Sequence, residues 1–119
     1  MDIRHYQQDE SNELYQEYSR VEEVKKYISE NIDSDLSASI VSKRFELSIS
    51  SLQSLFKKYQ GQSFHQYVQN SRLNKAFDLI TKEGKRINEA MYAAGYKNRD
   101  TFNTAFKKKF KYPPGNFRK

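Results

Sequence analysis

The chain has 119 residues, which is enough for one domain with a modest hydrophobic core. It contains no cysteine, which excludes disulfides and cysteine–metal sites. Its two histidines lack the spacing of a metal-binding pair, so we expect no metal and no cofactor. No apolar stretch is long enough for a membrane span or a signal peptide, which predicts a cytoplasmic protein with no membrane partner.

The charge is distributed unevenly along the chain. Residues 1–35 contain 4 Lys/Arg and 10 Asp/Glu, whereas residues 36–119 contain 17 and 5. The corresponding net charges are −6 and +12, which combine to the +6 of the whole chain. A segment of this size with so much positive charge suggests a polyanionic partner, and nucleic acid is the first candidate. The alternative is a Lys-rich soluble domain that has no such partner.

The pattern of apolar residues predicts an all-α fold with about seven helices. Apolar positions recur at steps of three and four, and the scarce glycines and prolines fall between these periodic stretches. We expect a first helix from Asn12 to about Asn31, preceded by a flexible stretch over residues 1–11. At the level of domains, residues 1–20 are expected to be a flexible acidic lead or interdomain linker, and residues 21–119 the folded domain.

Capping residues divide the rest of the chain into further helices. We expect helices to begin after four polar residues, namely Ser37, Ser48, Ser63 and Asn98. Gly61 and Gly84 are expected to close the third and fourth helices, and Pro113-Pro114 to prevent continuation of the last. The result is two helix-turn-helix units, at about residues 36–60 and 86–110, joined by a long linker helix at about residues 63–82.

The two units form a weak internal repeat. Leu52-x-x-Leu55-Phe56-Lys57-Lys58 matches Phe102-x-x-Ala105-Phe106-Lys107-Lys108 about fifty residues later. A helix that follows a tight turn and carries exposed polar residues is typical of DNA recognition, because the major groove admits one α-helix. The interpretation is that each unit presents one such recognition helix to duplex DNA.

The second half of the chain contains two groups of residues at characteristic spacings. The first is Gly61-x-Ser63-Phe64-x-x-Tyr67-Val68 followed by Arg72-Leu73-x-x-Ala76. The second is Ile87, Gly95-Tyr96, Phe102, Phe106-Lys107-Lys108, Phe110 and Pro114-x-x-Phe117-Arg118. On these motifs the chain, from about Val21 to Lys119, resembles the DNA-binding domain of the AraC/XylS family of bacterial transcription regulators.

Residue types and the resemblance together assign candidate roles. Arg can pair with guanine, Asn and Gln with adenine, and Asp can accept from cytosine. The candidate base-reading residues are Ser50, Gln53 and Ser54 in the first unit and Arg99, Asp100, Asn103 and Thr104 in the second. The candidate phosphate-binding residues are Lys57, Lys58, Lys107 and Lys108. Arg72 is expected to be a structural clamp rather than a DNA contact.

The sequence departs from the family pattern at several positions. Ser54 stands where members often carry Arg, which predicts a weaker reading face on the first recognition helix. Glu46 and Lys111 stand where members often carry Gly, and Ser42 replaces a small Ala. These changes bear on local packing rather than on the fold.

The resulting hypothesis is a DNA-binding module of a transcription regulator, without catalysis, because no nucleophile–base pairing or phosphate loop is present in the sequence. The resemblance implies duplex DNA as the partner and a contact with RNA polymerase. We expect this segment to act as a monomer and to come from a longer regulator that dimerises through a preceding domain; a stand-alone regulator would look similar. The alternative is a helical protein-interaction or anti-regulator module that no longer reads DNA.

Overall fold

The computed structural model of the protein describes residues 3–118, with side chains from Asn12 onwards. This part of the chain is all helical and contains no strand, which confirms the predicted fold class. Its elements are α1 (Ile3–Glu30), α2 (Ala38–Arg44), α3 (Ile49–Gln60), α4 (Phe64–Thr81), α5 (Ile87–Ala93), α6 (Arg99–Phe110) and a 3-10 helix (Pro114–Phe117). With the short 3-10 helix, the number of helices in this part of the chain agrees with the predicted number of about seven.

Helix α1 begins earlier than the sequence analysis expected. It starts at Ile3 rather than at Asn12, so residues 3–20 of the predicted lead are helical. Residues 3–30 contain no glycine or proline, so nothing interrupts the helix once its second half is fixed by packing. Val21, Val24 and Ile28 provide that packing, each 1% exposed. Residues 1–2 of the lead lie outside the described part of the chain.

Two hydrophobic cores share the linker helix α4. The first core combines α1, α2 and α3 with Phe64 and Val68 from the beginning of α4. The second combines α5 and α6 with residues of α4 from Leu73 onwards. Because one continuous helix contributes to both cores, the two helix-turn-helix units are attached to the two ends of a rigid rod.

The predicted repeat is visible in the helices. Helices α2 and α5 have 7 residues each, and α3 and α6 have 12 each. In the turns, the backbone N–H of Leu47 donates to the Ser42 carbonyl, and that of Tyr96 donates to the Met91 carbonyl. The four predicted caps are confirmed, because each side chain accepts a backbone N–H three residues later: Ser37, Ser48, Ser63 and Asn98.

Direct contacts hold the two units together across α4. The Arg72 side chain donates from Nε to the Ile32 carbonyl at 3.1 Å and from Nη2 to the Ser34 carbonyl at 2.7 Å. Gly95, in the turn of the second unit, packs against the same Ile32 carbonyl and the Arg72 guanidinium. The Tyr96 hydroxyl donates to Gln69 on α4. The segment after α1 and the turn before α6 therefore meet at Arg72, which has the predicted role of a structural clamp.

Candidate nucleic-acid interface

Helix α6 gathers most of the candidate residues of the second unit along one groove. Arg99, Asn103, Thr104 and Lys107 line a shallow groove of about 310 Å³, closed on its far side by residues of the Pro113–Gly115 segment and by Ile87. Arg99, Thr104 and Lys107 are exposed, and Asn103 is half-buried. Asp100 and Lys108 are also exposed but do not line this groove. The groove places one guanidinium, one amide and one hydroxyl side by side, which are groups that can donate to or accept from base edges.

Packing against α4 determines which side of α6 faces outwards. Phe102 and Phe106 are fully buried, and Phe106 and Phe110 contact Phe77 of α4 and Phe117 of the 3-10 helix. Burial of these aromatic rings fixes the helix about its axis, so its polar residues cannot rotate into the core.

Helix α3 presents the corresponding residues of the first unit. Leu52 and Phe56 are fully buried, and Ser50, Gln53, Ser54 and Lys57 are exposed on the other side. This face carries smaller side chains than that of α6, because two of its polar groups are serine hydroxyls. The first recognition helix therefore exposes fewer long side chains that can donate hydrogen bonds to base edges than the second does.

The candidate reading groups are not engaged elsewhere in the fold. Within residues 12–118, no side-chain hydrogen bond or ion pair involves any of them: Ser50, Gln53, Ser54, Arg99, Asp100, Asn103 and Thr104. Polar side chains that serve the fold do have such partners here, as the capping residues Ser48 and Asn98 show. An external partner can therefore bind the reading groups without breaking any side-chain hydrogen bond or ion pair among residues 12–118.

The lysines behind these faces differ in their surroundings. Lys57, Lys107 and Lys108 are exposed. Lys109 donates to the side chain of Asn70 on α4 at 3.1 Å, so it belongs to the fold. Lys58 forms an ion pair with Glu17 of α1, with a distance of 2.9 Å between Nζ and Oε1. Of the four candidate phosphate-binding lysines, only Lys58 has such a partner among residues 12–118, and a phosphate contact by Lys58 would have to compete with this ion pair.

The contact between α1 and α3 also involves Tyr59, whose hydroxyl donates to the same Glu17 oxygen at 3.0 Å. The hydrogen bond from Lys58, together with that from Tyr59, holds the pKa of the Glu17 carboxyl below its ordinary value. The same hydrogen bond raises the pKa of the Lys58 ammonium. Both side chains are largely accessible to solvent, so the ion pair contributes little to stability.

Two residues that the candidate list omitted lie beside the second recognition helix. Arg86, before α5, and Arg118, after the 3-10 helix, line a shallow pocket of about 350 Å³ together with Arg99. The family motif contains Arg118, but nothing in the sequence indicates that the chain folds so as to place it next to Arg86. Elsewhere, the residues that the structure describes include no helix long and apolar enough to cross a membrane and no cluster of three or more potential metal ligands.

A family model described as a helix-turn-helix domain matches residues 41–119. The multiple antibiotic resistance protein MarA of Salmonella typhimurium is 29% identical over 92 residues, which is 77% of this chain and 72% of MarA. The Msm operon regulatory protein of Streptococcus mutans is 31% identical over 93% of this chain. The chain spans only 39% of that protein, and 40% of the transcriptional activator RhaR of Mannheimia succiniciproducens.

Solved structures agree with these sequence matches. A transcriptional regulator from Chromobacterium violaceum with an AraC-type DNA-binding domain superimposes with a TM-score of 0.77 at 26% identity, covering 85% of this chain and 90% of that one. The C-terminal domain of AraT, a response regulator from Geobacillus stearothermophilus, gives a TM-score of 0.78 at 28% identity, covering 83% of each chain. With the paired helix-turn-helix units and the linker helix, these matches show that the chain belongs to the AraC-type family of helix-turn-helix DNA-binding domains of transcription regulators.

Proposed function

We propose that this domain binds a specific sequence of double-stranded DNA, with α3 and α6 in two successive major grooves on one face of the duplex. The observation that carries the proposal is the pair of equivalent helices, each fixed by buried aromatic or aliphatic residues and each exposing polar groups that have no partner within the described residues. Helices of this kind fit the major groove and reach base edges near their N-termini.

The linker helix supports simultaneous binding of both units. Helix α4 has 18 residues, which at 1.5 Å per residue gives a length of roughly 27 Å. Successive major grooves on one face of DNA lie about 34 Å apart. A rod of this length, with Arg72 fixing the units at its middle, can hold two recognition helices about one helical turn apart. One chain would then bind an asymmetric site as a monomer.

The charge distribution supports binding to the DNA backbone. Residues 36–119 carry a net charge of +12, and Lys57, Lys107 and Lys108 extend beyond the reading residues on their helices. Neutralising phosphates with lysine or arginine releases counterions, so affinity should fall steeply as salt is raised. The name of RhaR as a transcriptional activator supports a role in activation. A contact of the DNA-bound protein with RNA polymerase is what the family resemblance implies.

Selection of bound sequences from a random duplex library tests the proposal. We expect a recovered site with two short informative patches, with centres about 10 base pairs apart. Binding to that duplex should then resist an excess of unrelated duplex competitor.

Recovery of no shared sequence, together with binding that unrelated DNA removes completely, would contradict sequence-specific recognition. That result would instead favour the protein-interaction module, in which the basic faces contact a protein partner.

A further inference from the structure

We infer that Arg86 and Arg118 form a binding site for a backbone phosphate of the DNA, beside the second recognition helix. With Arg99 they make up the arginine cluster, which lines a pocket of about 350 Å³. The inference rests on the proposed function and extends it, because neither Arg86 nor Arg118 belongs to the recognition helices.

The use of arginines elsewhere in the chain singles out this cluster. The structure describes the side chains of six arginines, and three of them serve the fold. Arg20 donates to the Phe45 carbonyl, Arg72 to the Ile32 and Ser34 carbonyls, and the Arg44 guanidinium lies over the Tyr27 ring. The remaining three have no such contact within residues 12–118, and all three line the same pocket.

The charge of this pocket is unbalanced. Its lining contains three guanidinium groups and a single carboxylate, that of Glu89. Within residues 12–118 no ion pair joins Glu89 to any of these arginines. Three cations held in one shallow pocket repel one another unless an anion lies between them. Guanidinium groups suit a phosphate in particular, since their parallel N–H donors match two of its oxygens.

The position of the pocket identifies which phosphate it would hold. Arg99, the first residue of α6, lines both this pocket and the groove that contains Asn103, Thr104 and Lys107, and Ile87 also lines both. A duplex whose base edges enter the groove would bring a strand of its backbone alongside the pocket. Arg86 and Arg118 would bind that phosphate, and Arg99 would lie between the phosphate and the bases.

The test measures binding of Arg86→Gln and Arg118→Gln to the selected duplex over a range of salt. Loss of one phosphate contact should reduce the slope of log K against log salt by about 0.9. Affinity should fall about tenfold for each variant, and by the same factor on unrelated duplex, because a phosphate carries no sequence information. Lys85→Gln is the matched control: it removes the same charge one residue from Arg86, at an exposed position that does not line the pocket.

A single neutral methylphosphonate in the duplex locates the contact. At the phosphate held by the cluster, this replacement should weaken wild-type binding and abolish the difference between wild type and Arg118→Gln. Slopes and affinities of both variants equal to those of Lys85→Gln would overturn the inference while leaving the proposed function intact. Failure of the wild-type domain to prefer any duplex sequence would overturn the proposed function itself.

Discussion

The Nη2 atom of Arg72 lies 2.7 Å from the carbonyl oxygen of Ser34, a residue 38 positions earlier in the chain. This hydrogen bond and its companion to Ile32 tie the middle of the linker helix to the segment after α1, at the point where the second unit also makes contact. The relative position of the two recognition helices therefore depends on one guanidinium as well as on the rigidity of α4.

Replacing Arg72 with methionine keeps a side chain of similar length and removes both hydrogen bonds. We expect a loss of about 1–2 kcal/mol in the free energy of unfolding, measured in urea, because two carbonyls lose a charged donor at a half-buried site. Affinity should fall more for a duplex with both half-sites than for one with a single half-site. Lys75→Met, at an exposed position on the same helix, is the control. Equal effects of the two substitutions would show that the clamp has no special role.

Gly95 is the position where a side chain is least compatible with the structure. Its φ of +95° is rare for residues with a Cβ, and a Cβ there would overlap the Ile32 carbonyl and lie 2.8 Å from Arg72 Nε. Gly95→Ala should therefore cost about 3 kcal/mol or more of unfolding free energy. Gly84→Ala separates the two causes, because Gly84 has a φ of +66° and nothing within 4 Å of a Cβ. It should cost only about 1 kcal/mol. Similar thermal shifts in both variants would mean that the close approach at Gly95 contributes nothing.

Glu46 and Lys111 adopt the backbone conformation that glycine adopts at the matching positions of the other unit. Their φ values are 56° and 75°. Glu46 and Gly95 each lie two residues after the end of α2 and α5, and Lys111 and Gly61 directly follow α6 and α3. A left-handed conformation costs a residue with a Cβ roughly 1–2 kcal/mol. Replacement by glycine removes this cost, but part of the gain in stability is offset because glycine has greater conformational freedom in the unfolded chain.

Glu46→Gly and Lys111→Gly should each raise the free energy of unfolding by about 0.5–1 kcal/mol. Lys75→Gly, in the interior of α4, should lower it by about 1 kcal/mol and serves as the opposite control. A fall in stability for both turn variants would mean that these side chains make stabilising contacts that outweigh the strain.

Local sequence signals predict the order of the helices and four of their caps, but not the start of α1, which lies at Ile3 rather than at Asn12. Ser37, Ser48, Ser63 and Asn98 cap the helices that they were expected to cap, because an N-cap depends on a side chain and the backbone three residues away. Glu46 and Lys111 can also be recognised from the sequence as replacements of glycine in turns, because glycine at such a position marks a positive φ that is required locally.

Contacts between distant segments were less accessible. The sequence suggested a clamp role for Arg72 but not its partners, since both carbonyls belong to a loop about 40 residues away. The pairing of Lys58 with Glu17 depends on how α1 packs on α3, so the sequence alone does not distinguish Lys58 from the other candidate lysines. The sequence does not single out Arg86 either, because only the tertiary fold brings it into one pocket with Arg99 and Arg118.

The ion pair between Glu17 and Lys58 predicts a pH dependence of stability. The folded state lowers the pKa of Glu17, so its contribution is fully present above the ordinary glutamate pKa and is lost as the pH falls through the lowered value. Glu17→Gln should therefore unfold at a slightly lower urea concentration than wild type at pH about 7, with a difference that shrinks and then disappears as the pH falls below the ordinary glutamate pKa and through the lowered one. Glu23→Gln, also exposed on α1, should show no such difference. A gap that persists unchanged in acid would rule out the carboxylate as its cause.

Arg99 and Lys107 line the same groove on α6, yet we expect their loss to affect DNA binding in different ways. Arg99 is at the N-terminal end of the recognition helix, where a guanidinium can donate two hydrogen bonds to a guanine. Arg99→Ala should cost about 1–3 kcal/mol on the selected duplex and relax the preference at one base pair.

Lys107 is two turns further along α6, where we expect its ammonium to reach only the DNA backbone. Lys107→Ala should weaken binding to selected and unrelated duplex by the same factor and reduce the salt slope by about 0.9. Binding measured on both duplexes at several salt concentrations distinguishes the two roles. An equal loss on both duplexes for Arg99→Ala would remove Arg99 from the base-reading residues, and an unchanged slope for Lys107→Ala would remove Lys107 from the phosphate contacts.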